Sequence, residues 1–175
     1  MKRRILAAAL AGTAVLACAP RAVVVPAETP PPMDVAMTPV HRAADGMIVA
    51  HARLTGWGPG PAALPAGAQA IVLEGDPAKA QLFTLRVKLP NNYVVPPHSH
   101  GAWEHVTVIS GVLHLGMGDR FTMAGATELR AGSFAAIPSG MRHFVHAAGE
   151  TVLQIHGMGP FTVTYANPAD DPRNR

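Results

Sequence analysis

The sequence predicts an all-β fold, a sandwich or barrel of short strands, in a single folded domain. From about Met47 to Tyr165, short apolar or alternating runs are separated by Gly, Pro, Asn or Asp. Turn signals recur roughly every eight to twelve residues, a spacing typical of antiparallel β proteins. No run in this region has the periodicity of an amphipathic helix over about twelve residues. These observations favour a β-sandwich or β-barrel over alternating strands and helices.

The clearest predicted strand is Gln81 to Leu89, in which apolar side chains alternate with Thr84, Arg86 and Lys88. This alternation predicts one face packed on the core and the other in solvent. Residues 54–69 are rich in Gly and Pro and are predicted to form an irregular surface loop. The other predicted strands are Met47 to Arg53, Ala70 to Leu73, Tyr93 to Val95, Trp103 to Ile109, Val112 to Leu115, Arg120 to Met123, Phe134 to Ile137, Arg142 to His146, Thr151 to His156 and Phe161 to Tyr165.

Residues 1–17 have the layout of a secretory signal peptide. Positive charge at Lys2, Arg3 and Arg4 precedes an apolar run that ends at Ala17. The run is too short for a transmembrane helix, which needs roughly 20 residues. We therefore expect export.

The end of the signal predicts how it is processed. Residues 15–18, Val-Leu-Ala-Cys, resemble the bacterial lipobox, in which the cysteine is diacylated and becomes the first mature residue. Cleavage after Ala19 is less favourable because Pro20 would follow the scissile bond. Cys18 is the only cysteine, so no disulfide within the chain is available. We expect lipidation at Cys18 and a periplasmic, membrane-anchored lipoprotein; the alternatives are an incidental cysteine and a secreted protein.

A linker is predicted over residues 18–46, followed by the β domain over residues 47–175. Six prolines lie between Ala19 and Val40, and neither strand nor helix periodicity is present. Such a segment favours extended conformations and is typical of a spacer, although it could also be a docking ligand for a partner.

The charge balance argues against nucleic acid as a partner. Three of the 14 basic residues lie in the leader, so the remainder of the chain balances its 11 acidic residues. A neutral chain without a Lys/Arg cluster lacks the electrostatic contribution that dominates binding to phosphate backbones.

Four side chains form a candidate metal site. His98 and His100 are two residues apart, so both point to one face if the chain is extended. Glu104 has the same parity across a bend at Gly101, and His143 begins a later strand. Three imidazoles and one carboxylate suit Fe, Mn, Zn, Ni or Cu and leave positions free for substrate or oxygen.

The spacing of these residues resembles the two motifs of the cupin superfamily. His98-Ser-His100-(x)3-Glu104-(x)6-Gly111 resembles the first motif, and Gly132-(x)5-Pro138-x-Gly140-(x)2-His143 resembles the second. The resemblance implies a small jelly-roll β-barrel and assigns His98, His100, Glu104 and His143 as metal ligands. Asn92 replaces a glycine of the family pattern and also tolerates a left-handed conformation. Ala147 replaces an asparagine, and neither departure removes a ligand.

Several other residues are weaker candidates for the site. Gln154 and His156 share parity on a late strand and are expected at the barrel mouth, where Gln154 would bind substrate and His156 would transfer protons. Both could instead be ordinary strand residues. Trp103 and Tyr93 either wall a substrate pocket or pack in the core. His105 is expected to face outward, and the roles of His114 and His146 stay open.

Two functions follow from this pattern. The first is a metal-dependent enzyme of the cell envelope, of the oxygenase, isomerase or lyase type, that acts on a small molecule. The second is a non-catalytic metal-binding or ligand-binding module at the membrane. The fold hosts both, so the reaction is not fixed by it. Outward apolar strand faces also predict a homodimer.

Overall fold

The structure is a computed structural model that describes residues 39–175. The predicted signal peptide, Cys18 and most of the predicted linker lie outside the described residues. Within residues 39–175, no helix has the length and hydropathy that a membrane span requires.

The described chain is built of short antiparallel strands, which confirms the predicted all-β class. Two short 3-10 helices, Pro168–Asp170 and Pro172–Asn174, follow the last strand. The strands are β1 (His41–Arg42), β2 (Ile48–Val49), β3 (Gly58–Pro59), β4 (Gln69–Glu74), β5 (Leu82–Leu89), β6 (Val94–Ser99), β7 (Glu104–Ser110), β8 (Val112–Met117), β9 (Thr127–Arg130), β10 (Phe134–Ile137), β11 (His143–Ala147), β12 (Thr151–Met158) and β13 (Thr164–Tyr165).

Two larger sheets form the jelly roll. A six-stranded sheet has the order β10-β7-β12-β5-β4-β3, and a five-stranded sheet has the order β13-β6-β11-β8-β9. Buried residues of both sheets form one hydrophobic cluster, with Phe83 and Val108 from the first and Leu113 from the second. The inward faces of the two sheets therefore share a core. The short pair β1 and β2 forms a separate hairpin in the N-terminal part of the described chain.

Strand β5 shows why the pattern of alternation was informative. Phe83, Leu85, Val87 and Leu89 are all buried, as predicted. The other face is not open to solvent throughout, because Arg86 is also buried. Its guanidinium donates to the backbone oxygen of His51 and to the side chain of Gln154. The N-terminal segment thus covers part of the face that was expected to be wetted.

Three predicted strands differ from the structure. Residues 120–123 were predicted as a strand and instead form a bend, while the neighbouring segment Thr127–Arg130 is the strand that pairs with β8. Gly118 and Gly125 have φ values of 102° and 81°, so the chain turns on both sides of this bend. Of residues 47–53, only Ile48–Val49 form a strand, and of residues 161–165 only Thr164–Tyr165 do.

The sequence pattern also missed two short strands and shortened a third. β1 lies in the segment predicted as linker, and β3 lies in the predicted surface loop. The strand predicted over Tyr93 to Val95 is longer in the structure, where β6 continues through Pro96 and Pro97 to Ser99. Strand Phe134–Ile137 has its predicted bounds.

Candidate metal centre

The four predicted ligands lie together, at the ends of three strands. His98 and His143 are directly opposed partners of the antiparallel pair β6 and β11. His100 follows the end of β6, and Glu104 is the first residue of β7 in the other sheet. The cluster therefore joins the two sheets, and its members are between 1% and 6% exposed.

A β-bulge in β6 orients His98. Three residues of β11, from His143 to Val145, lie opposite four residues of β6, from Val95 to His98. The extra residue falls in the segment that contains two prolines, which lack the N–H that a regular ladder requires. The bulge brings the carbonyl oxygen of Pro96 to 2.7 Å from Nδ1 of His98.

A turn from the second motif docks on the loop of the first. The Gly140 N–H donates to the His100 carbonyl at 2.9 Å, and the Ser139 hydroxyl donates to the Gly101 carbonyl at 2.8 Å. Gly140 has a φ of 76°, a conformation that glycine adopts without strain. These two hydrogen bonds hold residues 138–140 of the second motif against His100 and Gly101 of the first.

Each imidazole of the cluster is held in one tautomer by a backbone carbonyl. Nδ1 of His98, His100 and His143 lies 2.7, 2.8 and 3.0 Å from the carbonyl oxygens of Pro96, Thr162 and Met141, respectively. A carbonyl oxygen only accepts, so the proton of each neutral ring is on Nδ1. The Nε2 atoms then carry lone pairs, the arrangement that metal-binding histidines commonly have.

These lone pairs face a carboxylate. Oε2 of Glu104 lies 3.3 Å from Nε2 of His100 and 3.2 Å from Nε2 of His143. Neither Oε2 of Glu104 nor Nε2 of His100 has a hydrogen-bond partner among the described residues. Acceptors packed against one another in a buried site are stabilised by a proton or a metal ion between them. His98, His100 and His143 form a buried group that can hold a metal ion, with ligand atoms within 4.8 Å of one another.

The electrostatics of the cluster favour a neutral His98 and a charged Glu104. Burial, with the neighbouring His143 and His100, lowers the pKa of His98 to about 3. Burial alone would raise the pKa of Glu104, but a proton held between its carboxylate and Nε2 of His100 or His143 would lower that pKa below its usual range. Deprotonated imidazole and carboxylate are the forms that bind metals.

The cluster lines a cavity of about 530 Å³ between the two sheets. This volume lies within the range of small-molecule sites. Apolar side chains such as Leu85, Val106, Leu115 and Ile155 form most of its wall. A metal ion at the cluster would therefore be accessible from the cavity.

The predicted placement of Gln154 and His156 at the barrel mouth is wrong. On β12, Leu153 and Ile155 line the cavity, so the alternating residues Gln154 and His156 lie on the opposite face. Gln154 accepts a hydrogen bond from Arg86, and His156 stacks on His105 with ring centroids 4.9 Å apart. Their positions give no support to the predicted roles in substrate contact or proton transfer.

Tyr93 and Trp103 do not line the cavity either. Tyr93 is buried in the hydrophobic core, and its hydroxyl donates to the Pro65 carbonyl. Trp103 is 51% exposed and lies beside His105. The packing alternative therefore describes Tyr93, and Trp103 is a surface residue.

The three remaining histidines of β7, β8 and β11 lie outside the cavity lining. His105 faces outward, as expected from its parity. His114 and His146 are opposed partners on β8 and β11, with their Nδ1 atoms 3.5 Å apart. Nε2 of His114 also lies 3.5 Å from Glu128, so this pair forms a polar cluster on the outer face of the five-stranded sheet.

Two site residues had no signal in the sequence. Phe161 stacks on His100 with centroids 4.2 Å apart and an interplanar angle of 14°. The backbone oxygen of Thr162 accepts from His100, and its hydroxyl accepts from the Gly101 N–H. Both lie in a segment predicted as a strand, where an irregular chain covers the site instead. The Thr162 contact uses a backbone carbonyl, which any residue could supply. The Phe161 contact depends on how this irregular segment folds over His100, which the sequence pattern does not show.

Most of the described chain matches a known protein family. The family described as "Domain of unknown function (DUF4437)" matches residues 66–175. No curated protein is significantly similar to the chain.

Solved structures with a similar fold include proteins of several bacteria. A candidate acetylacetone dioxygenase of Methylibium petroleiphilum PM1 is 19% identical, with a TM-score of 0.52 over 67% of this chain and 78% of that one. The polyketide cyclase RemF of Streptomyces resistomycificus is 20% identical, with a TM-score of 0.50 over 60% of this chain and 75% of that one. A cupin-2 domain protein of Shewanella frigidimarina is 22% identical, with a TM-score of 0.42 over 51% of this chain and 79% of that one. At these identities the similarity is one of fold alone.

Proposed function

We propose that this chain, which belongs to the DUF4437 family, is a metal-dependent enzyme that acts on a small molecule in the cavity. The observation that carries this proposal is the buried cluster of acceptors at the cavity wall. Nε2 of His100 and Oε2 of Glu104 have no donor among the described residues, and a cation between them would satisfy both.

The residues present fit a divalent transition metal. Three imidazole nitrogens and one carboxylate suit Fe, Mn, Zn, Ni or Cu. When bound, such an ion would supply Lewis-acid or redox chemistry to a substrate in the cavity. The chain's own contribution is to fix the tautomers of His98, His100 and His143, to exclude water by burial, and to hold Glu104 as an anion.

Metal content tests the site. We expect near-stoichiometric metal in protein purified without chelator and measured by elemental mass spectrometry, and loss of that metal in a His98→Ala, His143→Ala double variant. The matched control is His114→Ala, His146→Ala, which removes the same number of histidines from the outer sheet face. Metal lost equally from both variants, or from neither, would refute the site.

The second candidate function is a binding module without catalysis. It is favoured by the position of His156, which removes the predicted proton acceptor from the cavity. The two functions differ in how many equivalents of a small molecule each protein molecule consumes. Metal-loaded protein would be incubated with an excess of small molecules extracted from the source cells and followed by mass spectrometry. Depletion of a compound beyond one equivalent, absent in the His98→Ala, His143→Ala variant, is expected of the enzyme, whereas retention of at most one equivalent identifies the binding module.

We also propose that the chain works at the cell envelope as a lipoprotein anchored through Cys18. The layout of residues 1–18 supports this location. Cys18→Ser should move the protein from the membrane fraction to a soluble or secreted fraction, as judged by immunoblotting of fractionated cells. Cys18→Ser protein that stays in the membrane fraction would contradict the anchor.

A further inference from the structure

The wall of the cavity is almost entirely aliphatic. Leu85 and Val87 of β5 face it from one sheet, and Leu113, Leu115 and Val145 face it from the other. Aliphatic surface of this kind is stabilised by contact with an apolar ligand, at about 25 cal/mol for each Å² removed from water. Most of the cavity volume is therefore suited to hydrocarbon.

The charged side chains at the cavity are already paired. Among the described residues that line it, the charges outside the metal cluster are Asp76 and Arg173. Arg173 donates to Asp171 at 2.6 Å and to the Val163 carbonyl at 2.8 Å. Asp76 accepts from the Ala78 N–H and lies 3.3 Å from Nζ of Lys79. A second charged group on a ligand would therefore have to compete with Asp171 for Arg173 or with Lys79 for Asp76.

Polar groups distributed over a ligand would be unfavourable here. Each hydroxyl or carboxylate buried against Leu85, Val87 or Val145 would lose its bonds to water without a replacement. The cluster of His98, His100, His143 and Glu104 is the main polar region of the wall, besides Asp76, Thr162 and Arg173. A ligand with a single donor group directed at that cluster avoids the penalty.

We propose that the cavity selects an apolar small molecule with one oxygen donor group, such as a carboxylate, at one end. The apolar part lies against the aliphatic wall, and the donor group lies at the metal cluster. The placement of the donor group rests on the metal site proposed above. The selection for an apolar part rests on the lining of the cavity alone. Sugar acids and diacids are excluded as ligands.

A series of straight-chain carboxylates from butyrate to octanoate tests the selection. Affinities would be measured by calorimetry on both zinc-loaded and chelator-treated protein. We expect Kd to fall about fourfold for each added methylene in both forms until the cavity is full. In adipate, a second carboxylate replaces the terminal methyl group of hexanoate. We expect adipate to bind at least about tenfold more weakly than hexanoate.

Cavity filling locates the effect. Val145→Phe should abolish the gain from the longer chains, while Val112→Phe, on the same sheet but outside the cavity lining, should leave the series unchanged. If Val145→Phe does not fold, Leu115→Trp serves the same purpose. Chain-length dependence that is equal in cavity-filled and control proteins would overturn the proposal.

The outcomes separate this inference from the proposed function. A flat series in both forms, or equal affinity for adipate and hexanoate, overturns the apolar selection. A protein that binds no zinc but retains the chain-length dependence upholds the apolar selection and refutes only the metal site.

Discussion

At the scale of single residues, the site depends on where protons sit. Backbone carbonyls hold the proton of each ligand histidine on Nδ1, so three lone pairs converge with the Glu104 carboxylate. In the absence of a cation this arrangement is destabilising, because buried acceptors face one another. Metal binding and fold stability should therefore be coupled.

Glu104→Gln separates these two effects. In metal-free protein the Gln amide can donate to Nε2 of His100 or His143, and one added hydrogen bond should raise Tm by about 3 °C. In metal-loaded protein the lost charge should weaken metal affinity by at least about tenfold. Differential scanning fluorimetry with zinc and with chelator measures both. Glu128→Gln is the control, since Glu128 lies beside His114 on the surface; a metal-free Tm that falls in Glu104→Gln would contradict the assignment of tautomers.

Residue identity predicted that the four side chains lie together, and it predicted their surroundings poorly. Four side chains at motif spacing announced the cluster, and Asn92 has a φ of 61°, as its place in the motif predicted. The failures were residues judged by parity alone. Gln154 and His156 do share a face, but parity does not say which face points inward. Only the sheet packing decides that, and it places Leu153 and Ile155 inside.

At the scale of elements, the strand ends carry the site. β6 and β11 bring His98 and His143 opposite each other, and the bulge in β6 lets two prolines occupy a paired strand. The strand predicted over Tyr93 to Val95 ends before these prolines, whereas β6 continues to Ser99. Proline is unfavourable in regular ladders, whereas bulges absorb the missing N–H groups.

A close contact between β8 and β11 fixes the neighbouring face. Phe144 packs directly over Gly116, and a Cβ at Gly116 would lie 1.9 Å from the Phe144 ring. Phe121 packs on the same ring, with centroids 5.0 Å apart, which explains why residues 120–123 bend over the sheet and do not extend as a strand.

Gly116→Ala should destabilise the fold by about 1–3 kcal/mol, because the buried Phe144 ring must move. Chemical denaturation measures the change. The double variant Gly116→Ala, Phe144→Leu should lose less than the sum of the single changes, since the smaller side chain removes the clash. Met117→Ala, at a residue that is 52% exposed, should change stability by less than about 0.5 kcal/mol. An equally small effect of Gly116→Ala would contradict the tight packing.

At the scale of the whole molecule, one part of the outer face of the six-stranded sheet carries exposed apolar side chains. Leu82, Trp103, Phe134 and Met158 are each at least 50% exposed. His105 lies between Trp103 and Phe134, so part of this face is a continuous aromatic surface. Exposed apolar surface of this kind is typical of protein interfaces.

The expected homodimer would use this face. Analytical ultracentrifugation of the purified protein should show a dimer, and a Phe134→Glu, Met158→Glu variant should be monomeric. Phe121→Glu is a control, since Phe121 is 43% exposed and packs on the other sheet. A monomeric wild type, or a dimer that persists in the double variant, would contradict this interface.

The long strands of the fold were easier to predict from the sequence than its short strands and irregular segments. Strands with an alternating pattern, such as β5 and β12, depend on local sequence and were identified. Short strands such as β1 and β3 depend on pairing with a neighbour and carry too few residues for a periodic signal. The irregular segment around Phe161, which covers His100, is defined by its tertiary contacts.

The central claim is that a metal ion binds between the three imidazoles and Glu104. Anomalous diffraction from crystals of the metal-loaded protein, recorded at the absorption edge of the metal, tests it most directly. We predict one strong peak about 2.0–2.2 Å from Nε2 of His98, His100 and His143 and from the Glu104 carboxylate. A cluster without a peak, or a peak at the His114 and His146 pair alone, would contradict the account.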